Sequence, residues 1–361
     1  MLYRKYRPQL FNEVVGQQHV VQTLKGALSS GRLSHAYLFS GPRGTGKTTL
    51  ARILAKALNC KHRAKSGEPD NTCESCLAIS EGRSLDLIEI DGASNGRIDE
   101  IRNLKDSAAV AAASGGYKVF IIDEAHMVTK EAFNALLKIL EEPPAHVVLV
   151  LATTDPQKIL PTVLSRVQRF DFKKLTSKEI AEKLTMIVKA EKAFVDDTVI
   201  ASIASSSDGA LRDAEVALSK LLSSFGDKEQ ITIAKATLVL GLIPEHMNPD
   251  FLGYLIHNER SLALGFVQQI YHSGHNLEHF TKGFLEYLRK VMIKKISPAV
   301  LVSMGEEPSG DSGKRLADLA SEIDNQHLLK MLAAFTNVRN DMKISPIPQL
   351  PLELAIMELT H

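Results

Sequence analysis

The sequence predicts an α/β core built on a doubly wound parallel sheet, then a helical lid and an all-helical C-terminal domain. Three observations predict it. The stretch Gly41-Pro42-Arg43-Gly44-Thr45-Gly46-Lys47-Thr48-Thr49 fits the phosphate-loop pattern G-x-x-x-x-G-K-[ST] in full. Further along, Tyr117-Lys118-Val119-Phe120-Ile121-Ile122-Asp123-Glu124 is an apolar run ending in two acids. Beyond Leu175 the strand signal fades and segments of helical spacing take over.

His35 to Ser40 reads as the strand entering the loop, and Leu50 to Leu58 as the helix leaving it. That order is required, because backbone N–H groups converge on an anion at the positive end of a helix. Gly41, Gly44 and Gly46 allow the close backbone approach. Lys47 is then placed to meet the β- and γ-phosphates, and the Thr48 hydroxyl to ligate Mg²⁺. The 117–124 run lacks alternation, as a parallel strand covered on both faces does. Ligands gather at the carboxyl ends of such strands. Asp123 is therefore the natural Mg²⁺ partner, and Glu124 is positioned to polarise a water for attack on a γ-phosphate. The two motifs together point to nucleoside triphosphate hydrolysis.

The remaining elements follow in order. Leu85 to Asp91 reads as a strand and Asp99 to Val110 as a helix. Lys130 to Glu141 carries Phe133, Leu136, Leu137 and Leu140 on one helical side and is stopped by Pro143-Pro144. Val147 to Leu151 reads as another buried strand. Thr176 with Glu179 forms a capping box opening a helix to Lys192. Asp196 to Ala204 and Ala210 to Leu222 complete the lid. Past Gly241 the expected helices are Asn258 to Tyr271, His275 to Ile293, Lys314 to Lys343 with a break, and Pro351 to Leu359. Ser303 to Gly313 reads as a loop. The expected domains are 1–173, 174–240 and 241–361.

A length of 361 residues is enough for two or three domains with cores of their own. With 44% hydrophobic residues the chain is no disordered polyelectrolyte, and no apolar run reaches the length of a membrane span. Met1-Leu2-Tyr3-Arg4-Lys5-Tyr6-Arg7-Pro8 carries charge without a following apolar core, so no export signal is read there. Three cysteines without a disulfide-like framework suit a reducing cytoplasm. A net charge of +1 excludes a molecule built throughout for polyanions. Any DNA contact would be local, or pooled between subunits.

Further motifs carry a resemblance. Arg4-Lys5-Tyr6-Arg7-Pro8 is followed by Phe11 and Val14-Val15-Gly16-Gln17. Then come Asp123-Glu124-Ala125-His126, Phe133-Asn134-Ala135-Leu136-Leu137-Lys138, Glu141-Glu142-Pro143-Pro144, Leu151-Ala152-Thr153-Thr154-Asp155-Pro156, Leu164-Ser165-Arg166 and Gly209-Ala210-Leu211-Arg212-Asp213-Ala214. In order and spacing these resemble the gamma/tau family of bacterial DNA polymerase III clamp-loader subunits, which are AAA+ ATPases. The match runs the length of the chain and is densest in the first 215 residues.

The resemblance implies ATP and Mg²⁺ as cofactors and assigns roles. Thr154 would be sensor 1, reading the γ-phosphate or the attacking water. Arg212 would be sensor 2, reaching the γ-phosphate of its own subunit. Arg166 would be the arginine finger, contacting ATP held by a neighbouring subunit. Tyr6, Arg7, Val15 and Gly16 would line the adenine and ribose. Read alone, these residues also fit ordinary structural roles. Where the family commonly shows Ser-Arg-Cys, this chain has Ser165-Arg166-Val167, and valine keeps a small side chain there.

Relatives in that family carry four zinc-binding cysteines in an insertion after the phosphate-loop helix. Residues 60–76 supply Cys60, Cys73 and Cys76, with Asp70 where the remaining cysteine would fall and His62 as a rival ligand. Loss of the metal, leaving three free thiols, is the alternative.

By resemblance, ATP would organise this chain and related subunits into an open ring, a hetero-pentamer, with the third domain as the oligomerising collar. That assembly would open a sliding clamp, load it on primer–template DNA and release it on hydrolysis, as part of a complex with DNA polymerase activity. DNA would be gripped through its phosphates, with Asn95, Arg97 and Arg102 as candidates. An AAA+ ring motor such as a branch-migration helicase is the alternative, set against by the helical final third. The chain's end at His361 suits a short gamma-like form or a truncated product of a longer one.

Overall fold

Five parallel strands make one sheet: β1 (Ala36–Ser40), β2 (Leu87–Asp91), β3 (Lys118–Asp123), β4 (Val147–Thr153) and β5 (Gln168–Asp171), in the spatial order β2-β3-β4-β1-β5. This is the computed structural model of the chain, and it describes residues 1–95, 98–113, 116–226, 229–241, 244, 246–303 and 310–360. Strands β1, β3 and β4 are apolar on both faces because helices cover both. Alternate side chains divide between the two covers. Tyr37, Phe39, Val119, Ile121, Val148 and Val150 pack with the Gln18–Ser30 and Lys47–Asn59 helices. Leu38, Phe120, Ile122, Leu149 and Leu151 pack with the Ile98–Ala109 and Lys130–Glu141 helices.

Strand order positions the site. β4 lies between β1 and β3, with Ser40 paired to Thr153 and Ile122 to Leu151. The tip of β4 therefore separates the phosphate loop from the two acids. β5 is not anticipated from the sequence. Of its four residues only Phe170 is buried, and Gln168, Arg169 and Asp171 give it the polar character of an exposed edge strand.

Three helices follow the sheet, Ser177–Glu191, Asp197–Ser206 and Leu211–Ser224. The first opens on the expected capping box: Glu179 N donates to Thr176 Oγ1 at 3.2 Å, and Thr176 N to Glu179 Oε2 at 2.8 Å. A parallel bridge between Val195 and Ile231 closes this group.

By its contacts the chain forms two units, Met1–Ile231 and Thr232–His361. Every secondary-structure element among the second unit's described residues is a helix. Its longer helices are Met247–Ile256, Arg260–His272, Leu277–Ile296, Gly310–Glu322, Asn325–Asp341 and Leu350–Leu359. The break expected within 314–343 falls at Asp324, whose carboxylate accepts from Gln326 N and His327 N and so starts a new helix. Gly310 to Gly313, expected in a loop, are helical. Phe251, Phe266, Phe280, Phe284 and Phe335 meet in the core of this unit, with Phe284 and Phe335 edge-to-face at 4.7 Å.

Candidate functional site

At the end of β1 the chain enters a loop whose glycines are obligatory. Gly41 has φ +143°, and a Cβ there would collide with the Phe172 carbonyl. Gly44 has φ +77°, and a Cβ would crowd Ala210 at 3.0 Å. The Lys47 side chain folds back into the loop, where Nζ donates to the carbonyls of Gly41 at 2.7 Å and Pro42 at 2.8 Å. Burial lowers the Lys47 pKa, opposed by the nearby Glu124 and Asp123 carboxylates. An ammonium desolvated in this way is a ready receptor for an anion.

Across the tip of β4 lie the acids. Thr48 Oγ1 donates to Asp123 Oδ2 at 2.7 Å, which brings the two expected Mg²⁺ ligands together. Glu124 leaves the strand with φ +46°, an uncommon conformation for a non-glycine residue. Its Oε2 lies 3.3 Å from Thr154 Oγ1 and 3.5 Å from His126 Nδ1. His126 Nδ1 is also 3.1 Å from Thr153 Oγ1. Sequence reasoning does not single out His126 as a site residue. Nor does it single out Asp91, which the β2–β3 register pairs with Asp123.

These groups open on a cavity of about 360 Å³. Arg43, Gly44, Thr45, Gly46, Lys47, Thr48 and Thr49 line one side with Asp123 and Glu124. Arg7, Val15 and Arg212, expected there, also line it. Gly16 follows Val15 with φ +65°, where a Cβ would strike Leu175. Tyr6 is placed otherwise than expected. It is absent from the lining, with Lys5 Nζ 5.5 Å from its ring centroid and the Glu191 carboxylate beside its hydroxyl, raising its pKa. Tyr3 lines the cavity instead, with the Arg212 guanidinium 5.0 Å above its ring. Tyr3 lies within the short Leu2–Lys5 helix, whereas Tyr6 leaves it at the C-cap with φ −102° and ψ 17°, a divergence that a motif read as a linear string does not reveal.

The lining also holds Glu215, one turn beyond Arg212 on the lid helix and only 5% exposed. Burial pushes its carboxyl up to about 7, opposed by Lys183 and Arg7. A folded-state value above the ordinary 4.5 makes the cost of ionisation appear as pH rises. It is absent below about pH 4.5, grows as the unfolded chain ionises first, and is complete above about pH 7, at about 3 kcal/mol. Glu215→Gln should therefore stabilise the protein by about that amount near pH 8 and by almost nothing near pH 4.5. Urea unfolding at the two pH values measures it, and an equal effect at both would refute the assignment.

Arg166 lies outside the cavity lining. Its guanidinium pairs with Glu141 Oε1 at 2.9 Å and donates to Thr162 O at 2.7 Å and Ser165 Oγ at 3.0 Å. Both members of the pair are partly open to solvent. Of the DNA candidates, Arg97 lies outside the described residues, as do the side chains of Asn95 and Arg102.

The insertion gathers Cys60, Asp70, Cys73 and Cys76, with one ligand atom of each within 4.8 Å of all the others. All three cysteines are free. Asp70 Oδ1 accepts from the backbone N–H groups of Thr72 and Cys73, each at 3.1 Å. Burial opposes ionisation of Asp70, but hydrogen bonds from Cys73, Cys76 and Thr72 hold it well below the usual carboxylate range. Burial and the Asp70 carboxylate push the Cys76 thiol upward, a penalty that a bound cation would reverse. His62, the rival ligand, stands outside the group with its Nδ1 3.1 Å from Asp70 Oδ2. Three thiolates and a carboxylate suit tetrahedral zinc.

Comparison with known proteins places this geometry in a lineage. A family model described as DNA polymerase III, delta subunit, matches residues 16–176, and one described as DNA polymerase III subunits gamma and tau domain III matches residues 231–361. A RuvB point variant from Thermotoga maritima superposes with a TM-score of 0.50 at 19% identity, covering 86% of this chain and 94% of that one, a likeness of fold. The fold is thus the AAA+ arrangement of parallel sheet and helices, joined here to a helical C-terminal unit. DNA polymerase III subunit tau of Bacillus subtilis is 40% identical over 99% of this chain, which spans 62% of that relative's length. DNA polymerase III subunit gamma of Buchnera aphidicola subsp. Baizongia pistaciae is 33% identical, with 99% of this chain and 96% of that one covered. With a relative matched across nearly its whole length and the gamma/tau third domain matched from residue 231 onward, the chain belongs to the gamma/tau family of DNA polymerase III subunits.

Proposed function

We propose that this chain is an ATPase subunit of a clamp loader, coupling ATP binding and hydrolysis to the opening of a sliding clamp and its release on primer–template DNA. One observation carries the reading. The phosphate loop, the Thr48–Asp123 pair, Glu124 and Arg212 share one cavity, while Arg166 stands outside it on a surface that a neighbour could meet. Such a site binds nucleotide alone and is completed by a second subunit.

In this reading the loop N–H groups and Lys47 hold the phosphates, and Lys47 exchanges its two carbonyl partners for phosphate oxygens. Thr48 and Asp123 would hold Mg²⁺, which neutralises charge developing on the transferred phosphoryl group. Glu124 takes a proton from the attacking water, with Thr154 beside it fixing the carboxylate and the water. Arg212 leaves the Tyr3 face for the γ-phosphate. Arg7 and Val15 lie against ribose and base. Arg166 of one copy reaches the γ-phosphate of the next, so losing that phosphate removes charge that two subunits were holding. Residues 1–173 serve as the core, 174–240 as the lid and 241–361 as the collar. The collar role draws support from the Leu350–Leu359 helix, where Leu350, Leu354 and Met357 stay exposed on one face while Leu352, Ala355, Ile356 and Leu359 are buried on the other. A helix apolar on both faces awaits a partner. Among the described residues no helix is long and apolar enough to cross a membrane.

The test is ATP turnover by the chain alone and with partner subunits, sliding clamp and primed DNA. Strong stimulation only by the full set supports the loader, whereas DNA-driven turnover without a clamp would refute it in favour of a motor. For the insertion we expect about one zinc per chain, held by Cys60, Asp70, Cys73 and Cys76. Asp70→Ala should weaken it about tenfold or more, and His62→Ala less. Metal analysis finding under about a tenth of an equivalent would reject the site.

A further inference from the structure

The insertion that carries the cysteine cluster has no part in the chemistry above, yet it is fastened to a wall of the cavity. Arg7 and Pro8 line the cavity, and so do Val14 and Val15, with residues 9–13 between the two pairs. Two insertion side chains hold this connecting stretch. The Glu68 carboxylate accepts from Phe11 N at 2.8 Å and from Asn12 N at 3.1 Å. These N–H groups open the short Phe11–Glu13 helix, which has no acceptor of its own for them. Lys25 Nζ joins the group, 3.0 Å from Glu68 Oε1 and 2.9 Å from Asn12 Oδ1. The Glu68 side chain is only 12% exposed, so water competes poorly for these bonds. Asn71 makes the second hold. Its Nδ2 donates to Gln9 O at 3.4 Å, and the buried Lys56 Nζ donates to both Asn71 Oδ1 at 2.7 Å and Gln9 Oε1 at 2.6 Å. Gln9 Nε2 in turn donates to Arg7 O at 3.1 Å, so hydrogen bonds run unbroken from the insertion to the backbone of a cavity-lining residue. The loop bearing Glu68 and Asn71 is itself closed by Ala64 N on Glu68 O at 3.0 Å and Asp70 N on Cys60 Sγ at 3.3 Å.

We infer that Glu68 and Asn71 are positioning residues for the nucleoside half of a bound nucleotide: by fixing residues 9–13 they hold Arg7, Pro8, Val14 and Val15 in place against ribose and base. The inference rests on the proposed reading of this cavity as a nucleoside triphosphate site. A wall that must be ordered at the moment of binding subtracts the cost of that ordering from affinity, and a wall already fixed does not. The effect is confined to one part of the ligand. The phosphate loop takes its shape from other contacts, the approach of Gly41 to Phe172 and of Gly44 to Ala210, and Lys47 Nζ on the Gly41 and Pro42 carbonyls. The grip on phosphate should therefore be indifferent to the two insertion side chains.

The experiment compares binding of Mg·ATP to the full chain with binding of Mg·tripolyphosphate, which carries the phosphates without the nucleoside and is titrated until it displaces ATP. Glu68→Ala removes the acceptor for Phe11 N and Asn12 N. Asn71→Gly removes the second side chain without straining the backbone, since Asn71 sits at φ +56°. The double variant should bind ATP about tenfold or more weakly and tripolyphosphate within about twofold of wild type. Glu68→Gln, which keeps one carbonyl oxygen for the two N–H groups, should recover part of the loss. Ser29→Ala removes the Ser29 Oγ bond to Lys65 O, which docks the insertion without touching residues 9–13, and should change neither affinity. Amide exchange gives a second readout on the free chain: residues 9–13 should exchange faster in the double variant while β1, β3 and β4 keep their protection. Unchanged ATP affinity, an equal loss for both ligands, or unchanged exchange over residues 9–13 overturns the inference and leaves the nucleotide reading standing. Wild type binding neither ligand, with Lys47→Ala indistinguishable from it, would overturn that reading as well.

Discussion

Arg166→Ala is expected to lower the stimulated ATP turnover of the assembled complex by about 10³–10⁵-fold while leaving ATP binding to the isolated chain unchanged. The separation follows from where the side chain stands. Arg166 is outside the cavity that holds Lys47, Thr48 and Asp123, so it should contribute nothing to a nucleotide bound there by its own subunit. Its partner is Glu141 at 2.9 Å, and the pair is partly solvated. Exposed pairs of this kind are worth about 0.2–1 kcal/mol. Exchanging Glu141 for a γ-phosphate is therefore cheap, and a phosphate accepts the planar guanidinium in two-pronged fashion better than a single carboxylate oxygen does. Arg166→Lys should recover only a small part of the rate, because an ammonium keeps the charge and loses the fork. The measurement is turnover with clamp, primed DNA and partner subunits, beside nucleotide affinity of the chain alone. Undiminished stimulated turnover in Arg166→Ala would end the idea that the active site is shared between subunits.

Much of this arrangement is legible in the sequence, for a physical reason. The phosphate loop and the β3 acids are local strings whose chemistry depends on neighbours in the chain, and β1, β3 and β4 are apolar runs that only a covered sheet explains. What escapes a sequence reading depends on neighbours distant in the chain. β5 is polar at three of its four positions and is a strand only because β1 offers an edge. Tyr3 lies within a short helix that Tyr6 caps, and the sequence does not say which ring faces the cavity. That Asp70 rather than His62 sits within the cysteine cluster rests on the turn after Asp70, where two backbone N–H groups fix its carboxylate.

Glu215 does leave a signal. Leu211, Ala214, Glu215, Leu218 and Leu222 fall at i, i+3, i+4, i+7 and i+11 on the lid helix, which puts an acid in an otherwise apolar stripe. An acid so misplaced marks a candidate functional group by its position in the helical period alone. Its role still depends on which cavity the stripe borders. The same holds for Arg166. A surface arginine acquires meaning only from its exclusion from its own subunit's cavity.

Glu124→Gln should reduce turnover by about 10²–10⁴-fold with ATP affinity little changed, the loss expected when a general base is removed. The substitution is a fair test because it preserves shape. An amide occupies the same volume and can still accept from Thr154 Oγ1, now 3.3 Å from the carboxylate. The left-handed backbone at Glu124, φ +46°, tolerates glutamine as readily as glutamate. What disappears is the ability to take a proton from water. Binding should persist, because the proposed reading assigns phosphate affinity to the loop N–H groups, Lys47 and the Thr48–Asp123 pair, none of which the substitution touches. A complex carrying Glu124→Gln should consequently bind ATP and open the clamp, yet fail to release it on DNA. If the variant turned over at the wild-type rate, proton removal would have to be assigned elsewhere, with His126 the nearest candidate at 3.5 Å from the same carboxylate oxygen. If it lost ATP binding as well, Glu124 would be a ligand of the nucleotide or its metal rather than a base. The two measurements together decide between these roles, which neither does alone.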